Sequence, residues 1–225
     1  MVELTSQPDQ SKLRISEFFR KQTGCRSIKV AKNNQIYTSG QCDGMVYFVE
    51  RGWVKLVLDS QEGKECLLAI RSSGEIFGEL CLSGQIERLE TAVAMQEVTV
   101  KQMPHRSFLI GLNQELLLED LVKYLAACVA EQQEITAAMA TDDGEHRLAR
   151  TLLYLSQRFR RQDSRGACIE QRISHKELSE MVGTTRPRIG IFLKKFRELG
   201  LVRLTEKRCL VIEKNQMEEY ITGRA

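Results

Sequence analysis

A stretch of 32 residues near the C-terminus constrains the fold of this chain most strongly. It reads ISHKELSEMVGTTRPRIGIFLKKFRELGLVRL and covers residues 173–204. Ser174 followed by Glu177 forms a capping box, which starts a helix. Gly183 ends that helix, because glycine adopts the left-handed conformation at little cost. Thr184 or Thr185 then caps a second helix. Two short helices joined by a tight glycine turn predict a helix-turn-helix.

The second helix of this pair suits contact with DNA. In a helix-turn-helix, the N-terminal residues of the second helix reach base edges in the major groove. Those residues include Arg186 and Arg188, and an arginine can bond guanine through two hydrogen bonds. We expect Lys194 and Lys195, further along, to meet phosphate or solvent. The predicted DNA-binding residues are Ser174, His175, Thr184, Thr185, Arg186, Arg188, Lys194 and Lys195. After the helix, residues 202–204 and 209–212, with a turn at 206–208, predict a β-wing.

Charge is divided unevenly along the chain. Residues 144–225 contain 18 Lys and Arg against 10 Asp and Glu, a net charge of +8, whereas residues 1–143 carry −5. The net charge of +3 for the whole chain conceals this difference. A basic module joined to an acidic one predicts that only the C-terminal part meets a polyanion such as double-stranded DNA.

Residues 28–103 alternate short runs of β-forming residues with turn signals. The runs at 46–49, 54–58 and 66–70 are rich in aliphatic and aromatic residues. Turn pairs such as Asp43-Gly44 and Ser73-Gly74 separate them at intervals of roughly 8 to 12 residues. This pattern predicts a β-sandwich or barrel-like roll. A short helix is predicted before it, over residues 11–21.

Residues 114–140 contain no Gly or Pro and follow a helical periodicity. Alternate spacings of three and four give a heptad seam at Leu118, Leu121, Leu125, Cys128, Gln132, Ile135 and Met139. Such a seam needs a partner helix to bury it. We expect that helix to come from a second subunit, and the chain's own β-domain is the alternative cover. Because Leu117 and Val122 widen the apolar face, it can serve both. Gln132 either fixes the register of the pair or touches a ligand at the dimer axis.

The sequence Thr-Asp-Asp-Gly at residues 141–144 interrupts this helix, and Asp142 or Asp143 can cap a new one. The apolar face of the new helix comprises Leu148, Leu152, Leu153, Leu155 and Phe159. The sequence therefore predicts an α+β protein with three segments. These are a β-roll sensor domain at 1–113, a dimerisation helix at 114–141 and a winged helix-turn-helix domain at 142–225.

Several classes of protein lack support in the sequence. No apolar run reaches the roughly 18 to 20 residues that a bilayer span needs. The N-terminus does not read as a secretory signal, so we expect a cytoplasmic protein. Seven scattered cysteines and three scattered histidines give neither a disulfide framework nor metal-ligand spacing. The chain has no P-loop and no GxSxG motif, and we expect no enzyme activity.

The chain resembles the Crp/Fnr family of bacterial transcription regulators over nearly its whole length. The resemblance rests on the helix-turn-helix and on Gly-Glu-Ile-Phe-Gly-Glu-Leu at residues 74–80. In the family, that segment is the short phosphate cassette of a cyclic-nucleotide-binding β-roll. The resemblance implies a jelly-roll sensor, a long central dimerisation helix and a winged helix that reads palindromic operators.

The resemblance also bears on the effector. Family members that bind cyclic nucleotides hold the ribose with a Gly-Glu pair, which Gly78 and Glu79 match. They also carry an arginine directly before a Ser/Thr-Ala pair, to neutralise the phosphate. Here Glu90 stands in that place, and Arg88 could substitute only with a changed loop. A carboxylate would repel the phosphate, so the resemblance predicts a subgroup that does not bind cyclic AMP. The predicted effector pocket comprises Gly78, Glu79, Leu80, Cys81, Arg88, Glu90, Thr91, Ala92 and Gln132.

The sequence identifies neither the signal nor a cofactor. Cys25 and Cys42 are too few for the iron–sulfur cluster of oxygen-sensing relatives. Cys81 and His105 lack the context of haem ligands, and thiol switching by Cys25, Cys42 or Cys81 stays open. The alternative function is a ligand-binding regulatory subunit whose winged helix docks to protein. An activator of this family would also contact RNA polymerase, but no residue marks that surface.

Overall fold

The structure is a computed structural model that describes residues 10–59, 65–158, 167–170, 173–205 and 209–223. It has the α+β character that the sequence predicts. The chain divides into two compact units between Gln132 and Gln133. That point lies within a helix of 24 residues, so the division falls inside the predicted dimerisation helix and not at either of its ends.

The N-terminal unit contains two four-stranded antiparallel sheets. Its first described element is helix α1 (Gln10–Lys21). Its strands are β1 (Arg26–Val30), β2 (Gln35–Tyr37), β3 (Met45–Arg51), β4 (Trp53–Asp59), β5 (Glu65–Ser72), β6 (Ile76–Phe77), β7 (Thr91–Ala94) and β8 (Val98–Pro104). One sheet has the order β1-β8-β3-β6 and the other β2-β7-β4-β5. A 3-10 helix at Glu79–Ser83 follows β6. The predicted β-roll is confirmed, including the strands expected at 46–49, 54–58 and 66–70.

Strand β3 explains why the unit has two layers of core. Its residues 46–49 are all buried, although alternate side chains of a strand point to opposite faces. Tyr47 and Val49 pack between the two sheets with residues of β4 and β7. Val46 and Phe48 face the other way, against helices. The ring of Phe48 stacks on Phe19 of α1, with centroids 4.9 Å apart. Strand β3 is therefore buried on both faces, as its continuous apolar run requires.

Two helices follow the roll where the sequence analysis predicts one. Helix α2 (His105–Gln114) buries Phe108 and Leu112 against the roll, and helix α3 (Leu118–Thr141) begins four residues later than expected. The interruption occurs at Leu116, whose φ of 56° is left-handed. Leu117 is buried in the same core as Phe108. Because Leu117 is buried under the roll, the chain leaves the helical conformation at Leu116, and α3 does not begin at the predicted residue, Gln114.

The apolar seam of α3 also differs from the predicted one. Leu121 is buried and Cys128 is packed against the core of the β-roll, so these two seam members cover their own chain. The exposed apolar stripe lies about one residue further round the helix: Leu118 is 39% exposed, Val122 66% and Val129 57%. Leu125 lies between the two faces. The roll therefore covers one stripe, and the other is exposed in this chain. Cover of the exposed stripe by a second subunit stays a prediction.

The C-terminal unit joins four helices to a small sheet. Its elements beyond α3 are α4 (Gly144–Arg158), β9 (Ala167–Glu170), α5 (His175–Val182), α6 (Arg186–Glu198), β10 (Val202–Leu204), β11 (Cys209–Ile212) and α7 (Lys214–Ile221). Strands β10 and β11 form the predicted wing, and β9 extends it to the sheet order β10-β11-β9. Helix α4 buries Leu148, Leu152 and Leu155 as predicted. Phe159 and the turn at 206–208 lie outside the described residues.

Two further findings concern the described residues as a set. No helix among them is both long and apolar enough to cross a bilayer. No group of three or more His, Cys, Asp or Glu side chains among them could hold a metal ion. Cys25, Cys42, Cys66, Cys81 and Cys128 are free thiols.

Candidate nucleic-acid interface

The first helix of the helix-turn-helix forms as the sequence predicts. Ser174 caps α5, and its hydroxyl accepts a hydrogen bond from the Glu177 amide at 3.1 Å. The Glu177 carboxylate accepts one from the Ser174 amide at 2.7 Å, which completes the capping box. Gly183 ends the helix with φ 66° and ψ 45°. Because a side chain is strained in that conformation, glycine is needed for the tight turn.

Helix α6 presents one apolar face inward and the rest to solvent. Ile189, Leu193 and Phe196 are buried, as predicted, whereas Arg186 and Arg188 are exposed. Neither arginine forms an ion pair with a residue that the structure describes, so both are available to a polyanion. Successive helical residues are separated by about 100°, which puts these two about 200° apart. They therefore flank the outward face of α6 from opposite sides.

The two lysines of α6 already have acidic partners. Lys195 Nζ lies 2.7 Å from the Glu145 carboxylate on α4. Lys194 Nζ lies 3.8 Å from Glu198, one turn along α6. Surface pairs of this kind contribute about 0 to 1 kcal/mol, so Lys194 can still exchange Glu198 for phosphate. Lys195 is part of the contact between α4 and α6, and we therefore assign it first to holding α6, the proposed recognition helix, in place.

The start of α4 anchors the helix-turn-helix. Asp143 accepts hydrogen bonds from the amides of Glu145 and His146, at 3.0 and 2.8 Å, and these bonds lower the pKa of the Asp143 carboxyl. Arg147 donates through Nε to the carbonyl of Val182, at the end of α5. Its Nη1 donates to the Asp142 carbonyl at 2.7 Å. Arg147 thus connects Val182, at the end of α5, with Asp142, which directly follows α3.

The role of Ser174 as a helix cap can be tested through its effect on stability, separately from DNA binding. We expect Ser174→Ala to lower the free energy of unfolding of the C-terminal unit by about 0.5–2 kcal/mol, because the cap bond is lost. Thr185 occupies the corresponding position of α6, but its side chain makes no capping bond. Thr185→Ala should therefore cost less. Urea denaturation of both variants measures this, and equal losses would contradict the role given to Ser174.

In the β-roll, the guanidinium of Arg88 contacts the predicted phosphate cassette at residues 74–80. Arg88 is buried, and its Nη1 donates to the Gly78 carbonyl at 2.7 Å. Its Nη2 donates to the Asp43 carboxylate and to the Met45 carbonyl. The guanidinium also lies over the Tyr37 ring, 4.3 Å from the centroid, which is a cation–π contact. Gly78 has φ 74°, and a Cβ there would lie 2.7 Å from Arg88 Nη1, so only glycine fits.

The other predicted pocket residues take separate roles. Glu90 is buried and accepts a hydrogen bond from the Tyr37 hydroxyl at 2.7 Å. Burial raises the pKa of Tyr37 well above its usual value, and the charge of Glu90 adds to the shift. Glu79 lies 3.6 Å from the buried Arg71. The remaining members are dispersed: Thr91 binds the Ser39 amide, Cys81 and Ala92 are core residues, and Leu80 and Gln132 are exposed.

The partners of these charged groups could not be predicted from the sequence. Asp43 is 45 residues from Arg88 in the chain, and Tyr37 is 53 residues from Glu90. No local pattern marks such pairs, because the roll brings distant strands together. Arg88, which is expected to replace the family's arginine only with a changed loop, has a side chain long enough to reach the Gly78 carbonyl.

Each of the two units matches a known protein family. The family model of the cyclic nucleotide-binding domain matches residues 27–115, and that of the Crp-like helix-turn-helix domain matches residues 146–220. The "CRP-like cAMP-activated global transcriptional regulator" of Mycobacterium tuberculosis is 25% identical over 193 residues, 84% of this chain and 85% of its own. The "Global nitrogen regulator" of Nostoc sp. is 26% identical over 183 residues, 80% and 82% of the two chains.

Solved structures agree on the fold. FixK2 from Bradyrhizobium japonicum superposes with a TM-score of 0.76 at 17% identity, covering 87% of this chain and 96% of its own. The two curated relatives are named as regulators rather than enzymes, in accord with the expectation from the sequence. Both domain models, their order along the chain and the fold agree, and the chain belongs to the Crp/Fnr family of transcription regulators.

Proposed function

We propose that this chain is a homodimeric, sequence-specific DNA-binding regulator that acts in the cytoplasm. The observation that carries the proposal is the N-terminal half of α6, where Arg186 and Arg188 are exposed and have no acidic partner among the described residues. A well-packed helix that presents such arginines suits the major groove. The basic balance of residues 144–225 supports the same conclusion.

The proposal gives each segment a role. Residues 1–113 receive a signal, residues 114–141 pair two chains, and residues 142–225 bind DNA. The exposed stripe of Leu118, Val122 and Val129 supports pairing, because an apolar stripe at heptad spacing is stable when a second helix covers it. A two-fold pair places recognition helices about 34 Å apart, one turn of DNA. Operators should then be palindromic. Contact with RNA polymerase belongs to the same proposal, and no residue is assigned to it.

Salt dependence tests DNA binding against docking to a protein. Neutralising phosphates releases counterions, so log affinity for DNA should fall linearly as log salt rises. A dimer that makes six to ten phosphate contacts should lose about 10³- to 10⁵-fold in affinity between 50 and 200 mM salt. Fluorescence anisotropy with a DNA fragment measures the slope. Absence of DNA binding at low salt would favour the regulatory subunit whose winged helix docks to protein.

We also propose that cyclic AMP is not the signal. Both terminal nitrogens of Arg88 are engaged, by Gly78, Asp43 and Met45, and Glu79 faces Arg71. A cyclic phosphate would have to displace Asp43 from Arg88 and approach Glu90, another carboxyl group. The curated relatives named above include a cAMP-activated regulator and a nitrogen regulator at nearly equal identity, so similarity alone does not assign a signal.

Titration calorimetry tests this proposal directly. We expect no binding of cyclic AMP to the purified protein up to millimolar concentration, and no change in DNA affinity when it is added. The same preparation must bind DNA, which shows that it is folded. A micromolar dissociation constant for cyclic AMP, or a cyclic-AMP-dependent gain in DNA affinity, would contradict the assignment of Arg88 and Glu90.

A further inference from the structure

The outward face of α6, the proposed recognition helix, carries an exposed aliphatic side chain. Ile191 is 65% exposed, although it lies in α6 between Arg188 and Lys194. The buried stripe of Ile189, Leu193 and Phe196 lies on the opposite side of the helix. Single exposed apolar residues are common on protein surfaces. This one, however, lies at the centre of the face that the proposed function turns toward DNA.

The surroundings of Ile191 leave room for a close approach. Pro187 is one turn earlier on the same face and is also exposed, so the two form a short apolar strip. At Gly190, an added Cβ would meet no atom within 4 Å. The arginines flank this strip, and Glu198, which would repel phosphate, lies at the far end of the helix. The N-terminal half of α6 is therefore apolar along its midline and cationic at its sides.

We propose that Ile191 determines sequence specificity by contacting the C5-methyl group of thymine. In the major groove, thymine is the base that presents a methyl group, and apolar side chains recognise it. A branched aliphatic side chain offers neither donor nor acceptor to other base edges, so it discriminates by shape and desolvation. The inference rests on the proposed function, and it adds a base preference that Arg186 and Arg188 do not supply.

Removal of single methyl groups tests the inference. The operator is the DNA that purified wild-type protein selects from a random pool, and each thymine in it is replaced in turn by uracil, which lacks only the methyl group. We expect one thymine position per half-site at which this change weakens wild-type binding about fourfold, and about 15-fold when both half-sites are changed. In Ile191→Ala, the same replacement should have no effect, while Ile191→Val should retain most of it.

The outcomes are distinguishable. Circular dichroism of Ile191→Ala should match that of the wild type, because an exposed side chain contributes little to folding. If no thymine position responds to uracil in the wild type, or if Ile191→Ala keeps the response, the inference is wrong and the proposed function stands. Failure of the wild type to select any DNA would overturn the proposed function and the inference together.

Discussion

Replacing Val122 and Val129 with glutamate will separate the dimer into single chains and weaken operator binding by about 100- to 10,000-fold. The two valines are 66% and 57% exposed on α3, and the proposed pairing buries them. Burying an unpaired charge costs several kcal/mol. In a two-fold dimer each substitution counts twice. Loss of pairing leaves one half-site reader, which loses the gain from linking two binding modules.

Sedimentation equilibrium measures the separation of the dimer, and the wild type is expected at twice the 25.7 kDa of the chain. The matched control is Ala127→Glu with Ala130→Glu. These exposed positions lie on the same helix but away from the stripe, so the same charge should leave the dimer intact. If the valine variant stays dimeric, the stripe is not the interface.

Replacing Arg186 and Arg188 together with alanine should weaken operator binding by about 2–6 kcal/mol for each half-site. A base-reading arginine contributes about 1–3 kcal/mol, and effects at separate sites add approximately. The single variants apportion the loss, because the arginine that reads a base will also relax the preference at one base pair. One that meets phosphate will weaken all sequences alike. The α6 geometry predicts unlike behaviour, since the two side chains flank the helix from opposite sides.

The control for this pair removes the same charge elsewhere. Arg20 and Lys21 are exposed at the end of α1, in the N-terminal unit, and their double alanine variant should bind the operator nearly as well as the wild type. A loss as large as that of the α6 pair would mean that net charge decides affinity. Unchanged affinity and unchanged base preference in the α6 pair would remove α6 as the reading helix.

Features set by neighbouring residues could be predicted from the sequence. The capping box of Ser174, the turn at Gly183 and the wing strands each depend on contacts within a few residues. The run of β-forming residues in β3 also predicts a strand, but its burial on both faces depends on helices α1, α2 and α3. Helix propensity likewise favoured a continuous helix from Gln114, whereas burial of Leu117 in the roll decides where α3 begins.

Features set by distant residues could not be predicted. A heptad count specifies that α3 has an apolar face, but not which part of that face the roll covers. In the sequence, Leu121 and Cys128 are therefore equivalent to Leu118, and only packing against the roll distinguishes them. In the same way, the position of Arg88 two residues before Glu90 does not show where its guanidinium lies. The length of the arginine side chain and its partner Asp43, 45 residues away in the chain, place that group at Gly78.

Selection of bound sequences from random double-stranded DNA, using purified protein without added effector, tests the central claim most directly. A dimer with two recognition helices predicts enrichment of a two-fold-symmetric motif whose half-sites are centred about one helical turn apart. Enrichment of a single asymmetric site would contradict the dimeric reader. If no sequence is enriched, either alone or with cell extract added, the chain does not read DNA.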